Sequence, residues 1–140
     1  MILYLDTSAL VKLYVEEDGS EAVAAALEGA EAACTVRITY AEARAAFARH
    51  RREGALTPGD LRRVVRALDE DWPAFNVVDA SDGLVRRAGA LAERHALRAY
   101  AAIQLAAALE LRRGGVSPEF VCFDARLLRA ARREHLTATL

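Results

Sequence analysis

The feature that most limits how this chain can fold is a repeated pairing of a short apolar, β-prone run with a stretch of helical length. Such runs fall at 2–5 (ILYL), 33–36 (ACTV), 76–78 (NVV) and 120–123 (FVCF), with a weaker one at 136–140. Between them the spacing predicts helices over 8–15, 20–28, 40–53, 58–72, 82–95, 99–113 and 125–134. Pro58 after Thr57 is a good helix start, and Gly54 and the Gly114–Gly115 pair are good stops. Strands that alternate with helices in this way build a mainly parallel sheet with helices on both faces. The fold class expected is therefore α/β, on a sheet of about five strands.

The 140 residues suit one domain over 1–140, and nothing in them looks like a linker, a repeat or a low-complexity segment. Apolar residues make up 54% and charged residues 28%, a balance that excludes a disordered chain. No apolar run reaches the ~18 residues that a membrane span requires. The N-terminus enters a strand pattern directly, without a basic region or cleavage signal, so the expected location is the cytoplasm. Cys34 and Cys122 lack C-x-x-C spacing and read as small buried hydrophobes. Net charge is −1, which gives no global basic footprint for nucleic acid. Lys12 is nonetheless the one lysine among 19 basic side chains, the rest being arginine, whose planar fork matches phosphate. An arginine-rich genome explains the same bias.

In open α/β sheets, function gathers at the carboxyl ends of the strands. Asp6 follows the first run, Glu42 stands in the first turn of the helix after the second, Asp79 follows the third, and Asp124 follows the fourth. Each has a structural alternative. Asp6 and Asp124 suit the N-caps of the helices they precede. Thr39 and Glu42 have capping-box spacing, in which Glu42 would reach back to the Thr39 amide. Asp79-Ala80-Ser81-Asp82 reads as a helix-start loop and is left out of the site. Three carboxylates delivered toward one edge repel unless something positive sits among them, and a hard divalent cation, Mg²⁺ or Mn²⁺, is the usual answer. His50, His95 and His135 lie near helix ends in arginine-rich surroundings, where surface or C-terminal capping roles are expected, and they lack H-E-x-x-H spacing, which argues against a zinc enzyme. The absence of a G-x-G-x-x-G, a Walker loop and a G-x-S-x-G elbow removes nucleotide binding and serine hydrolysis.

Four segments in order, "YLDTSALVKLYVEE", "ITYAEARAAFAR", "LAERHALRAYAAIQLAAALEL" and "FVCFDARLLRAARREHL", resemble the PIN-domain family and, within it, the VapC-type toxin ribonucleases. The resemblance covers nearly the whole chain. It implies a three-layer α/β/α sandwich on a parallel sheet, a Mg²⁺- or Mn²⁺-dependent endoribonuclease acting on RNA, and a homodimer neutralised by a small antitoxin. Carried over by position, the first acid is Asp6, the second Glu42 and the late acid Asp124, with Ser8 at the hydroxyl position that assists the metal.

The pattern breaks at one place. The family's third acid stands in a segment of the form LR-x-Y-D-A, and here that segment is "LRAYAAIQLA", with Ala101 at the acid's position. The resemblance therefore implies a ribonuclease impaired by a lost ligand. Its rival is a catalytically inactive protein that binds antitoxin or RNA without cleaving it. Arg44 and Arg49, on the helix that carries Glu42, are candidate RNA contacts, with a solvated face as the alternative. The apolar residues Leu10, Val11, Leu13, Tyr14 and Val15 exceed what one sheet-facing stripe needs, which points to a homodimer face.

Overall fold

The computed structural model describes residues 1–139. Five strands form one sheet: β1 (Ile2–Leu5), β2 (Ala32–Val36), β3 (Asn76–Val78), β4 (Glu119–Val121) and β5 (Thr137–Thr139). Their order is β3-β2-β1-β4-β5, and every neighbouring pair is parallel. The helices are α1 (Thr7–Val11), α2 (Ser20–Glu28), α3 (Thr39–Arg52), α4 (Pro58–Asp71), α5 (Asp82–His95), α6 (Ala99–Arg113) and α7 (Ala125–Arg133), with a 3₁₀ turn at Trp72–Ala74.

Strand alternation sorts the core into two layers, because successive side chains point to opposite faces. Leu3, Leu5, Ala33 and Val121 face Ala9 and Leu10 of α1, Val23 of α2, Ala43 and Phe47 of α3, and Val64 and Leu68 of α4. Tyr4, Cys34, Val36, Phe120 and Cys122 face α5, α6 and α7 through Leu84, Leu91, Leu105, Leu127 and their neighbours. Tyr4 stacks on Phe120 across adjacent strands at 5.3 Å. The result is the expected three-layer α/β/α sandwich. Both thiols are free and buried, and burial pushes Cys122 up to about 12, so they behave as core hydrophobes.

Helix starts follow their sequence signals. Thr57 Oγ1 accepts from Asp60 N and Asp60 Oδ2 from Thr57 N, each at 3.0 Å, a capping box with Pro58 at the first helical position. Ser81 caps α5 through Leu84 N.

Most boundaries fall within one residue of expectation, and three differ by more or for a stated reason. The helix expected over 8–15 ends at Val11, and the chain continues in tight turns from Leu13 N to Leu10 O and Tyr14 N to Val11 O. Those turns bring Leu10, Val11 and Val15 together into the chain's own core. Only Leu13 and Tyr14 of the proposed dimer face stay half-buried, so most of the apolar surplus is absorbed within the protomer. In the fourth strand Phe123 leaves the ladder because its N–H is taken by Ser8 Oγ at 3.0 Å. The weak last strand covers Thr137–Thr139, and Leu140 lies outside the described residues. Among the described residues no helix is long and apolar enough to cross a membrane.

Candidate active site

The strand order reverses between β1 and β4: from β1 the chain runs outward through β2 and β3, then returns to β4 on β1's other side. The crevice outside the carboxyl ends of such a pair is where open α/β sheets bind ligands. Asp6 leaves β1 and Asp124 follows β4 at this point. The two ends are tied by Asp6 N donating to Val121 O (3.3 Å) and by Phe123 N donating to Ser8 Oγ.

Asp6 caps α1 and stands at the β1–β4 switch point at once. Its Oδ1 accepts from Ala9 N at 2.9 Å and from Ser8 Oγ at 2.7 Å. The residue is buried just past the carboxyl end of β1, 4% exposed. Burial above all, and then the charges of Glu42 and Asp124, lift its carboxyl to about 7 against the two hydrogen bonds that favour the anion. Asp124 is exposed and caps α7, its Oδ1 accepting from Arg126 N and Leu127 N. For both aspartates the cap and the crevice position coincide.

Glu42 departs from its structural alternative. Ile38, not Thr39, is the N-cap of α3, and the Glu42 carboxylate is not on the Thr39 amide. Instead Glu42 Oε1 accepts from Thr7 Oγ1 at 2.7 Å and from Gln104 Nε2 at 2.9 Å. Thr7 is the residue after Asp6, so the second acid is fastened to the first acid's own turn.

Gln104 was not singled out by the sequence. It is 3% exposed on α6, and its Nε2 also faces Thr7 Oγ1 (3.1 Å) and Thr39 Oγ1 (3.0 Å), while Tyr4 O–H donates to its Oε1 at 2.7 Å. Thr35 Oγ1 completes the chain, 2.8 Å from both Thr39 Oγ1 and Leu5 O. A buried polar network reaching a carboxylate fixes that carboxylate's position. The available signal was one amide amid the apolar run IQLAAAL. Gln104→Leu is expected to destabilise the protein by about 2–4 kcal/mol in urea unfolding, because it strands the buried Tyr4 hydroxyl and takes the amide from Glu42, Thr7 and Thr39. Adding Tyr4→Phe should recover about 1 kcal/mol, a coupling that a simple packing defect would not show.

The remaining predicted residues divide around the cleft. A cavity of about 620 Å³ is lined by Thr7, Ser8, Lys12, Glu42, Arg49 and Tyr100 among others. Lys12 is held by Glu17 at 3.1 Å and sits 4.5 Å over the Phe123 ring. Gly19, at φ 96°, lets that ring approach, since a Cβ there would meet it at 2.7 Å. Arg44 instead lies over Tyr40 and donates to its hydroxyl at 3.3 Å. Ala101 is half-buried and lines a second cavity, about 320 Å³, with Leu97, Arg98, Asp124 and Arg126. Asp79 pairs with Arg37, outside the crevice group. His50 lines the acid cavity 3.7 Å from Glu17, and His95 is buried rather than at the surface, its side chain 5% exposed.

The donor set is all oxygen, and both contacts to Asp6 fall on Oδ1, with no hydrogen bond to Oδ2 among the described residues. That chemistry suits a hard cation. Among the described residues no three acidic, histidine or cysteine side chains gather tightly enough to cage an ion alone. An ion here would keep several of its own waters, as Mg²⁺ commonly does.

Residues 3–133 match the PIN domain family. The chain is 39% identical over 108 residues to ribonuclease VapC45 of Mycobacterium tuberculosis (strain CDC 1551 / Oshkosh), an alignment covering 77% of this chain and 75% of the relative. Ribonuclease VapC49 of strain ATCC 25618 / H37Rv matches with the same identity and coverage. Among solved structures, FitAcB from Neisseria gonorrhoeae superposes with TM-score 0.68 at 18% identity, over 99% of this chain and 96% of that one. A toxin-antitoxin complex from Klebsiella pneumoniae gives 0.64 at 20% identity, over 87% and 86%. At such identities the solved structures speak for the fold alone.

Proposed function

Since the chain belongs to the PIN-domain family and is of its VapC type, we propose that it is a Mg²⁺- or Mn²⁺-dependent endoribonuclease that hydrolyses RNA phosphodiesters, with its chemistry impaired by Ala101. The observation that carries this reading is the Asp6 carboxyl at the β1–β4 switch point, raised to about 7 by burial first and then by the charges of Glu42 and Asp124. The hydrogen bonds from Ser8 and Ala9 do not offset that burial, and a cation would stabilise the anion further.

Asp6, Glu42 and Asp124 would hold the ion, with Ser8 assisting by fixing Asp6 Oδ1. When bound, the ion would supply a water of lowered pKa and positive charge against the developing negative charge on the phosphate. The chain's own residues do the rest. Thr7 and Gln104 orient Glu42. Arg49 and Lys12 supply positive charge on the Glu42 side of the cleft, and Tyr100, 62% exposed at its rim, offers a face on which a base can stack. Arg44, turned to Tyr40, is the weaker of the two RNA-contact candidates.

The partners proposed are an antitoxin, by analogy with the toxin-antitoxin complexes of like fold, and a second copy of this chain. Leu13 and Tyr14 are the half-buried apolar residues left for the homodimer face, and sedimentation at tens of micromolar tests it.

The second reading, an inactive PIN-fold binder, rests on Ala101 beside Asp124. Incubating the chain with labelled single-stranded RNA separates the two. Slow cleavage in Mn²⁺ that is lost in EDTA supports the nuclease. RNA binding without cleavage at any divalent concentration supports the binder, and neither binding nor cleavage overturns the nuclease and the RNA-binding form of its rival.

A further inference from the structure

We propose that a third cavity beside the cleft, lined by His95, Arg126, Arg129 and Arg133, is a phosphate-binding subsite that takes the RNA backbone on the Asp124 side. This rests on the proposed RNA substrate and assigns that substrate a direction across the surface.

The three arginines fall at i, i+3 and i+7 on α7, so they share one helix face. The opposite face, Leu127, Leu128 and Ala131, is buried in the core. From Arg126 to Arg133 the helix rises roughly 10 Å. The cavity they line measures about 290 Å³. Arg126 also lines the cavity that holds Asp124 and Ala101, so the two spaces adjoin through one side chain.

Three observations separate this group from an ordinary solvated face. The nearby acid is already engaged: Glu134 accepts from Arg94 at 2.8 Å and pairs with His95 Nε2 at 2.7 Å. Among the described residues Arg129 and Arg133 take part in no ion pair or side-chain hydrogen bond, and Arg126 reaches only the Ala96 carbonyl, at 3.3 Å. The His95 side chain is 5% exposed, and its Nδ1 has no hydrogen-bond partner among the described residues. Guanidinium groups that share one face and leave Arg129 and Arg133 out of any ion pair favour an added anion, and guanidinium forks match phosphate oxygens in pairs.

The test is fluorescence anisotropy of a labelled, 2′-O-methylated single-stranded RNA, which cannot be cut, titrated with the full chain in EDTA across a range of salt. Arg129→Glu/Arg133→Glu should weaken binding at least about tenfold and lower the salt slope by about 1.4, which is about 0.7 for each phosphate no longer neutralised. Arg62→Glu/Arg66→Glu, an equal charge change on exposed α4 in the other helical layer, should weaken it by no more than about twofold. Arg129→Gln/Arg133→Gln should reproduce the direction with a smaller loss, which keeps the result readable if charge reversal disturbs folding. Unchanged RNA affinity in the α7 variants overturns the subsite, and so does a loss of poly-glutamate peptide binding in its place. An equal loss in the α4 control also overturns it. A wild-type chain with no salt-dependent RNA binding overturns the RNA reading itself.

Discussion

Ala101→Asp should raise ribonuclease activity by at least about tenfold, equivalent to roughly 1.4 kcal/mol of transition-state stabilisation. Position 101 is the third residue of α6, in a first turn that has no acid and no side-chain cap. A carboxylate there is favoured by the helix dipole by about 0.3–1 kcal/mol, so the backbone accepts it. Ala101 already shares its cavity with Asp124, which gives an added carboxylate room to reach the same space. A methyl group offers a cation nothing, whereas a fourth carboxylate adds both a ligand and a unit of charge. Titration calorimetry should show tighter Mn²⁺ binding in the variant, and urea unfolding in EDTA should show lower stability, because another anion joins the group that already raises Asp6. If neither metal affinity nor cleavage changes, position 101 does not serve the site. The proposal of impairment, and the inactive-binder reading that leans on the same residue, would fall together.

Much of this site was legible because strand ends are legible. Runs such as ILYL and FVCF have no helical alternative at their length, and an acid just past such a run must stand at the sheet's carboxyl edge. What the linear pattern could not resolve was a one-residue choice at α3. Thr39 and Glu42 have capping-box spacing, but Thr39 is the first helical residue rather than the cap, and its hydroxyl goes to Thr35 and Gln104. The competing partners lie 4 and 65 residues away, and local spacing carries no trace of the second. Gln104 escaped notice for the same reason. A lone amide in an alanine-rich helix announces nothing until the fold brings Tyr4, Thr7 and Glu42 to it. His95 shows the reverse: its position at a helix end suggested the surface, but α7 and Glu134 close over it. In each case a tertiary contact overrode what neighbouring residues alone implied.

Asp6→Asn should separate stability from activity in opposite directions. In the metal-free protein the Asp6 carboxyl titrates at about 7, whereas in the unfolded chain it titrates near the ordinary aspartate value of 3.8. Between those values the folded protein retains a proton that the unfolded chain has released, so stability falls as pH rises through this window. Above about 7 both states are ionised and the loss is complete. At about 1.36 kcal/mol per pH unit the shift sets a ceiling of about 4 kcal/mol, to be read as an order of magnitude. Asparagine keeps an oxygen to accept from Ser8 and Ala9 but carries no charge to desolvate. The variant should match the natural chain near pH 4, exceed it by about 2–4 kcal/mol at about pH 8 in EDTA, and lose the stabilisation that millimolar Mn²⁺ gives the natural chain. Subtracting the two urea-unfolding series at each pH removes every other titrating group. In the Ala101→Asp background the same substitution should abolish the gained cleavage. A difference that is flat with pH would mean Asp6 is ionised in the fold without help, and the case for a cation at the crevice would lose its foundation. A rising advantage for asparagine, paired with dead chemistry, would mark Asp6 as a charge kept at the expense of stability for the ion it is there to hold.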